Sequence, residues 1–178
     1  LDVVDPNALV WVGGFHYYPN CEAVRYFLEE IYPRIKREKA ETKFCIVGSR
    51  IPEWLRRLAA GDPSIVLTGY VDDPLPYIQR AAVFVAPILS GGGTKLKLLE
   101  AMAVGKAIVS TSIGVEGIEG NDKEHFMVAD SPEAFSSRVV SLLNDHVFRE
   151  RLGANARKRA MEKYDWEAIC EAMSRTYL

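Results

Sequence analysis

The sequence predicts an α/β fold: a doubly wound, Rossmann-like parallel sheet of about six strands, with extra helices towards the C-terminus. Six short apolar runs lie between residues 8 and 130, segments with helical periodicity separate them, and the turns are short and contain Gly, Pro or Asp. Runs that are apolar throughout, without a polar residue at every second position, are typical of parallel strands buried on both faces. Their alternation with helices favours right-handed crossovers.

The strand candidates share this continuous apolar character and lie at residues 8–14, 43–49, 64–70, 83–87, 107–111 and 125–130. Between the first two, Asn20 is placed to cap a helix whose apolar positions run from Val24 to Ile35 with helical spacing. Pro33 is expected to kink or divide that helix, because proline removes a backbone N–H.

After residue 130 the pattern becomes helical. Ser131 is expected to cap a helix that has Pro132 in its first turn, and a polar helix should follow from about Val147 to Tyr164. A last helix is expected within residues 165–178. No internal repeat interrupts this order.

Composition limits the classes of function. The 178 residues are 48% apolar and 26% charged with a net charge of −2, which favours one ordinary globular domain and argues against bulk binding of nucleic acid or acidic lipid. The three cysteines, Cys21, Cys45 and Cys170, are far apart without a CxxC pair, so neither a disulfide framework nor a zinc site is indicated. A reducing, cytoplasmic setting is the simpler interpretation, and no apolar run approaches the roughly 20 residues that cross a bilayer.

The strongest candidate for a binding site follows the fourth strand, because ligands of doubly wound sheets bind at the carboxyl ends of the strands. Here "SGGGTKLKLLEAM" leads into a helix. The backbone amides of Gly92, Gly93 and Thr94 can approach a ligand closely at the positive end of that helix, and Lys95 and Lys97 add positive charge. A phosphate or diphosphate is the expected guest. The sequence has neither GxxxxGK[ST] nor, in the first loop, GxGxxG, which argues against a P-loop NTPase and a Rossmann dehydrogenase.

Glu100 stands among apolar or small neighbours in the same helix. One interpretation is a surface ion pair with Lys97 at the i, i+3 spacing. The other is a carboxylate that reaches past a bound diphosphate to hydroxyl groups, as acidic residues do for the ribose in dinucleotide sites. The sequence leaves both open.

The stretch "VFVAPILSGGGTKLKLLEAMAVGKAIVSTSIGVEGIE" resembles the donor-binding segment of the retaining glycosyltransferases of family 4, also called group 1, which have the two-domain GT-B architecture. The segments "GGFHYYPN", "GYVDDP" and "YDW" agree with that family in order and spacing. The resemblance implies that this chain is the C-terminal, nucleotide-sugar-binding half. Residues 1–7 would end the interdomain linker, residues 8–164 would form the domain, and residues 165–178 would form a helix that crosses to a missing N-terminal acceptor domain.

The resemblance also implies site residues. Glu100 matches the second of two family glutamates, the one that grips the ribose, whereas the first, which faces the sugar, falls on Gly92. The first loop lacks the arginine and lysine that usually hold the diphosphate, so phosphate charge is assigned to Lys95 and Lys97. By position, Gly13, Gly14, Phe15 and His16 form the first loop at the phosphates, and Tyr70, Val71 and Asp73 contact the base.

The implied chemistry is transfer of a sugar from a nucleoside-diphosphate sugar with retention of configuration. Lys97 and Glu100 are the expected catalytic pair, with Lys97 and the amides of the glycine-rich segment stabilising the charge that grows on the departing phosphate. No metal or other cofactor is expected, since Asp72 and Asp73 suit a turn and helix cap before Pro74. His16 is either a base or a loop histidine bonded to backbone or solvent.

Several alternatives remain open at this stage. Glu116 and Glu119 either face the sugar or are solvated loop charges, and Trp11, Trp54 and Trp166 are expected in core or interface positions. The protein could instead be half of a nucleotide-sugar epimerase with GT-B architecture, or a non-catalytic nucleotide-binding or interaction domain. Family acceptors that are lipid-linked or polysaccharides would place the full-length protein at the cytoplasmic face of a membrane, although no transmembrane segment is expected here.

Overall fold

A computed structural model describes residues 3–165, which form a six-stranded, all-parallel sheet with the order β3-β2-β1-β4-β5-β6. The strands are β1 (Asp5–Val12), β2 (Lys43–Val47), β3 (Ile65–Gly69), β4 (Ala81–Ala86), β5 (Ala107–Ser110) and β6 (Met127–Val128). The predicted α/β class, parallel sheet and six strands are all confirmed. β1 begins at Asp5, three residues earlier than expected, and so overlaps the segment assigned to a linker end.

Helices cover both faces of the sheet. They are α1 (Tyr18–Tyr26), a π-helical turn (Phe27–Ile31), α2 (Tyr32–Glu38), α3 (Glu53–Gly61), α4 (Leu75–Arg80), α5 (Leu96–Ala103), α6 (Ser112–Val115), α7 (Pro132–Asn144) and α8 (His146–Tyr164). One hydrophobic cluster packs α1, the π turn, α2, α3 and α7 on the sheet, and a second packs α4 and α5 on the other face. α8 contributes to both, with Leu152 in the first and Ala156 and Ala160 in the second.

The helix boundaries confirm two predictions and correct a third. Ser131 caps α7 by accepting a hydrogen bond from the Ala134 amide at 3.2 Å, and Pro33 lies in the first turn of α2, after the π turn that separates α1 from α2. Asn20, however, is not a cap. α1 begins at Tyr18 with Pro19 in its first turn, so Asn20 is already helical and its side chain is used elsewhere.

Trp11 is fully buried in the first cluster, as expected, and Trp54 is partly buried against it with the Arg25 guanidinium 4.7 Å from its ring centroid. Trp166, Cys170 and the helix expected within residues 165–178 lie outside the described residues, except for Asp165 itself. Between residues 3 and 165, no helix is both long and apolar enough to cross a membrane.

Candidate functional site

The strand order places a crevice between the ends of β1 and β4. These neighbouring strands send their chains to opposite sides, β1 towards β2 and β4 towards β5, which makes their carboxyl ends the topological switch point of the sheet. The first loop (residues 13–17) follows β1, and the glycine loop (residues 87–95) follows β4. Both segments singled out in the sequence therefore flank the same crevice.

Lys97, in the first turn of α5, reaches across this crevice to β1 and α1. Its Nζ donates a hydrogen bond to Asn20 Oδ1 at 2.8 Å and lies 4.4 Å from the centroid of the Trp11 ring. A Cβ added to Gly13 would lie 2.8 Å from the same Nζ, so the absence of a side chain there makes room for the ammonium group. No carboxylate in the described part of the chain forms an ion pair with Lys97.

This environment changes the acidity of Lys97. Burial lowers the pKa of Lys97 from 10.5 to about 8; Glu100 opposes the shift through its negative charge, whereas Lys95 adds to it. The side chain is still protonated at neutral pH. Lys97 is thus a desolvated cation whose described partners are an uncharged amide and an aromatic ring, and a bound anion would relieve its desolvation.

The glycine loop presents backbone amides beside that cation. Gly91 and Gly93 have φ values of 104° and 76°, which residues with side chains rarely adopt, so these two glycines are required by the path of the loop. Within residues 3–165, the amides of Gly92, Gly93 and Thr94 have no hydrogen-bond partner, and α5 begins without a side-chain cap. Lys95 turns back on its own loop, where Nζ donates to the Gly93 carbonyl oxygen at 2.6 Å.

The first loop offers fewer amides than its glycines indicate. The Gly13 amide donates to the Val47 carbonyl at 2.9 Å, and the Phe15 amide donates to the Ser49 carbonyl at 3.0 Å, so both extend the pairing of β1 with β2. The Phe15 ring is buried against Trp11. Gly14 lies next to the exposed His16 ring, which would be 2.7 Å from a Cβ at Gly14. Of the predicted site residues in this loop, His16 is exposed and Gly14 is partly exposed, so both remain accessible to a ligand.

Glu100 lies one turn beyond Lys97 on α5, and the surface ion pair between them is not formed, because Lys97 donates to Asn20. Partial burial raises the pKa of the Glu100 carboxyl group, and the charge of Lys97 opposes that effect. Glu100 lines a cavity of about 350 Å³ between α5 and the end of α8, with Leu96, Leu99, Ala103, Ala160, Met161, Tyr164 and Asp165. This cavity lies on the α8 side of α5, and its lining includes no residue of the first loop, the glycine loop or the loop after β3.

The loop after β3 carries the residues predicted to contact the base, and it follows the edge strand of the sheet. Val71 packs against the same hydrophobic cluster as Leu99 of α5, while Tyr70 is 75% exposed. Asp73 accepts a hydrogen bond from the Leu75 amide at 2.9 Å, which confirms the predicted turn before α4. Pro74, not Asp73, occupies the N-cap position.

Glu116 and Glu119 were the other acidic residues considered as sugar contacts. Glu119 forms an ion pair with Lys163 at 3.0 Å, and its backbone N–H is not free to donate to a ligand because it donates to the Tyr164 hydroxyl at 2.6 Å. Glu116 is exposed on the loop after α6. Among residues 3–165, no group of three or more His, Cys, Asp or Glu side chains could hold a metal ion.

Sequence reasoning missed two anchors of the site. Asn20 joins Lys97 to the Gly14 carbonyl, and Glu22 accepts a 2.6 Å hydrogen bond from the Ser90 hydroxyl, which ties the glycine loop to α1. The Asn20–Lys97 and Glu22–Ser90 contacts join residues 77 and 68 positions apart. No local pattern signals such pairs, although two polar residues in the first turns of an otherwise packed helix are a weak indication.

A doubly wound parallel sheet with free amides and a desolvated cation at its switch point places the chain in the Rossmann-like class of α/β domains. A comparison with known protein families identifies the family within this class. The model of the glycosyl transferases group 1 matches residues 6–145, and the chain belongs to that family.

Two curated relatives illustrate the match. The chain is 30% identical over 142 residues to a phosphatidyl-myo-inositol mannosyltransferase of Mycobacterium leprae, covering 77% of this chain and 38% of the relative. It is 29% identical over 118 residues to the capsular polysaccharide biosynthesis glycosyltransferase CapM of Staphylococcus aureus, covering 65% of this chain and 31% of CapM. The chain spans less than half the length of these relatives.

Solved structures agree in fold. S. aureus TarM, crystallised as a G117R mutant with UDP among its ligands, matches with a TM-score of 0.80 and 17% identity over 97% of this chain and 36% of TarM. The C-terminal domain of the group 1 protein LpcC from Francisella tularensis matches with a TM-score of 0.74 and 18% identity, covering 92% of this chain and 89% of that domain.

Proposed function

We propose that this chain is the donor-binding half of a retaining glycosyltransferase, which transfers a sugar from a nucleoside-diphosphate sugar to an acceptor. The observation that carries the proposal is Lys97, a desolvated cation without a carboxylate partner in residues 3–165, beside the free amides of the glycine loop. Similarity to the LpcC C-terminal domain over 89% of its length supports the assignment to a C-terminal half.

In this proposal the diphosphate lies at the glycine loop. The amides of Gly92, Gly93 and Thr94 donate to the phosphate oxygens, and the Lys97 ammonium group supplies the nearest fixed charge. Gly14 approaches the phosphates from the first loop. UDP in the crystals of S. aureus TarM supports a nucleoside diphosphate as the ligand class.

The nucleoside extends towards the loop after β3. Glu100 accepts hydrogen bonds from the ribose hydroxyls, and Val71 and Tyr70 contact the base, with Asp73 holding the loop through Leu75. Because Gly92 has no side chain, contacts to the sugar come from backbone groups of the glycine loop or from the other half of the enzyme.

Catalysis follows from the same contacts. As the sugar departs through an oxocarbenium-like transition state, negative charge grows on the leaving phosphate. Donors already aimed at that oxygen lower the barrier, and one well-placed donor contributes roughly 3 kcal/mol. Lys97 and the loop amides supply these donors without a metal ion. The chain by itself should bind donor but transfer no sugar, since the acceptor half is required for turnover.

The test is a thermal-shift panel of UDP, GDP, ADP and dTDP, each with and without Mg²⁺. At least one diphosphate should raise the melting temperature of the wild type, because a ligand that binds only the folded state stabilises it. Lys97→Met should abolish the shift, whereas Lys158→Met, which removes an exposed lysine of α8, should retain it.

Two results would contradict the proposal. If none of the four diphosphates stabilises the wild type, the donor site is wrong. If the full-length enzyme releases an epimerised free sugar and forms no glycosidic bond to an acceptor, the epimerase alternative replaces it. NMR of the anomeric proton of a transferred sugar then tests retention of configuration.

A further inference from the structure

Asn20 connects the two loops that flank the crevice. Its Nδ2 donates to the Gly14 carbonyl oxygen at 2.8 Å, and its Oδ1 accepts from Lys97 Nζ at 2.8 Å. The orientation of the amide is fixed by chemistry, because a carbonyl can only accept and an ammonium group can only donate. One side chain thus holds the first loop and the first turn of α5 together.

The neutral charge of Asn20 matters at this position. The charges that act on Lys97 come from Lys95 and Glu100, in its own segment of chain. The groups that face Lys97 from β1, the first loop and α1 are the Trp11 ring, Gly13 and Asn20, none of which is charged. A carboxylate in place of the Asn20 amide would form an ion pair with the ammonium group and cancel the charge that it offers to an anion.

The packing leaves Lys97 little freedom. A Cβ at Gly13 would lie 2.7 Å from the Trp11 ring, 2.8 Å from Lys97 Nζ and 2.9 Å from Asn20 Nδ2, so these three side chains meet over one glycine. Trp11 is fully buried and fixed in the core. The acceptor that determines where the ammonium group sits is therefore Asn20.

We propose that Asn20 is a positioning residue that holds the Lys97 ammonium group in the crevice without neutralising it, so that its full charge is available to a phosphate group of the ligand. This role rests on the proposed function, in which Lys97 binds the diphosphate. Asn20 acts through Lys97 and the first loop and does not itself contact the reacting atoms.

The test measures the affinity for inorganic diphosphate by calorimetry between pH 6 and pH 10, with the wild type, Asn20→Asp and Tyr18→Asp. Asn20→Asp should weaken binding at pH 7 by tenfold or more. It should also move the alkaline midpoint of the affinity profile upwards by about one pH unit, because a neighbouring carboxylate raises the pKa of a lysine. The ionisation of diphosphate itself is common to all variants.

Tyr18→Asp is the matched control, since it adds the same charge to the same turn of α1 at a side chain that is 72% exposed. It should change the affinity by less than threefold and leave the midpoint unchanged. A purely structural role of Asn20 would weaken binding without moving the midpoint. If Asn20→Asp does not fold, Asn20→Ser retains a neutral acceptor with shorter reach and should weaken binding severalfold at an unchanged midpoint.

Unchanged affinity in Asn20→Asp, or in Asn20→Ser where that variant is needed, would overturn the inference and leave the proposed function intact. So would a midpoint in Asn20→Asp equal to that of the wild type. A wild type that binds inorganic diphosphate but no nucleoside diphosphate would overturn the proposed function alone. A wild type that binds neither would overturn both.

Discussion

Lys97→Met should change how the stability of the domain depends on pH. Folding lowers the pKa of Lys97 from 10.5 to about 8, so between these values the unfolded chain binds a proton that the folded chain has lost. The free energy of unfolding therefore rises with pH in this window for the wild type. By linkage, the lowered pKa of Lys97 reduces the free energy of unfolding by about 3 kcal/mol at pH 7 and by about 1 kcal/mol at pH 10. A methionine side chain does not titrate, so Lys97→Met lacks this dependence on pH.

Urea denaturation of the wild type and Lys97→Met at pH 7 and pH 10 measures this effect. The difference between the two free energies of unfolding should change by about 2 kcal/mol in favour of the wild type as the pH rises. The Asn20 acceptor that methionine leaves unpaired adds a constant that cancels in this comparison. If the two proteins follow parallel pH profiles, Lys97 is not desolvated as described and the electrostatic basis of the site fails.

Three further predictions concern separate parts of the molecule. Glu100→Gln should lower the affinity for a nucleoside diphosphate about tenfold in calorimetry and leave inorganic diphosphate binding unchanged, because only the nucleoside has ribose hydroxyls to lose. Gly48→Ala should destabilise the fold by about 2 kcal/mol in urea denaturation, since its Cβ would lie 2.0 Å from the Gly13 carbonyl oxygen, whereas Gly61→Ala, with nothing within 4 Å, should be neutral or stabilising. Ser131→Ala should cost about 1 kcal/mol by removing the α7 cap, and an unchanged unfolding midpoint would contradict that assignment.

The sequence predicted the sheet well because its signals are local. Each strand from β1 to β6 carries its own apolar run, and the cap at Ser131 and the break near Pro33 are set by residues within one turn. Lys97 and Glu100 were also identifiable, since a charge within an apolar helix stands out.

The contacts of the site could not be predicted in the same way. Asn20 is a residue type that often caps helices, but α1 begins upstream of it, at Tyr18, with Pro19 in the first turn. The Asn20 side chain therefore does not cap the helix and bonds to Lys97, 77 residues away. Gly13 and Phe15 lie in a glycine-containing loop that resembles a phosphate loop, yet their amides pair with Val47 and Ser49. These amides are paired because β2 lies beside β1, and the order of strands is a property of the whole sheet.

The π-helical turn at Phe27–Ile31 has a consequence for the distant crevice. A π turn contains one residue more than the α-helical path it replaces, and each residue of an α-helix turns the chain by about 100°. If the same residues continued as an unbroken α-helix, α1 would be rotated against α2 by about that angle. Since α2 is held by Tyr32 and Ile35 in the core, the rotation would carry Asn20 away from Lys97. The π turn thus absorbs the extra residue and preserves the angular phase of α1 that brings Asn20 to Lys97.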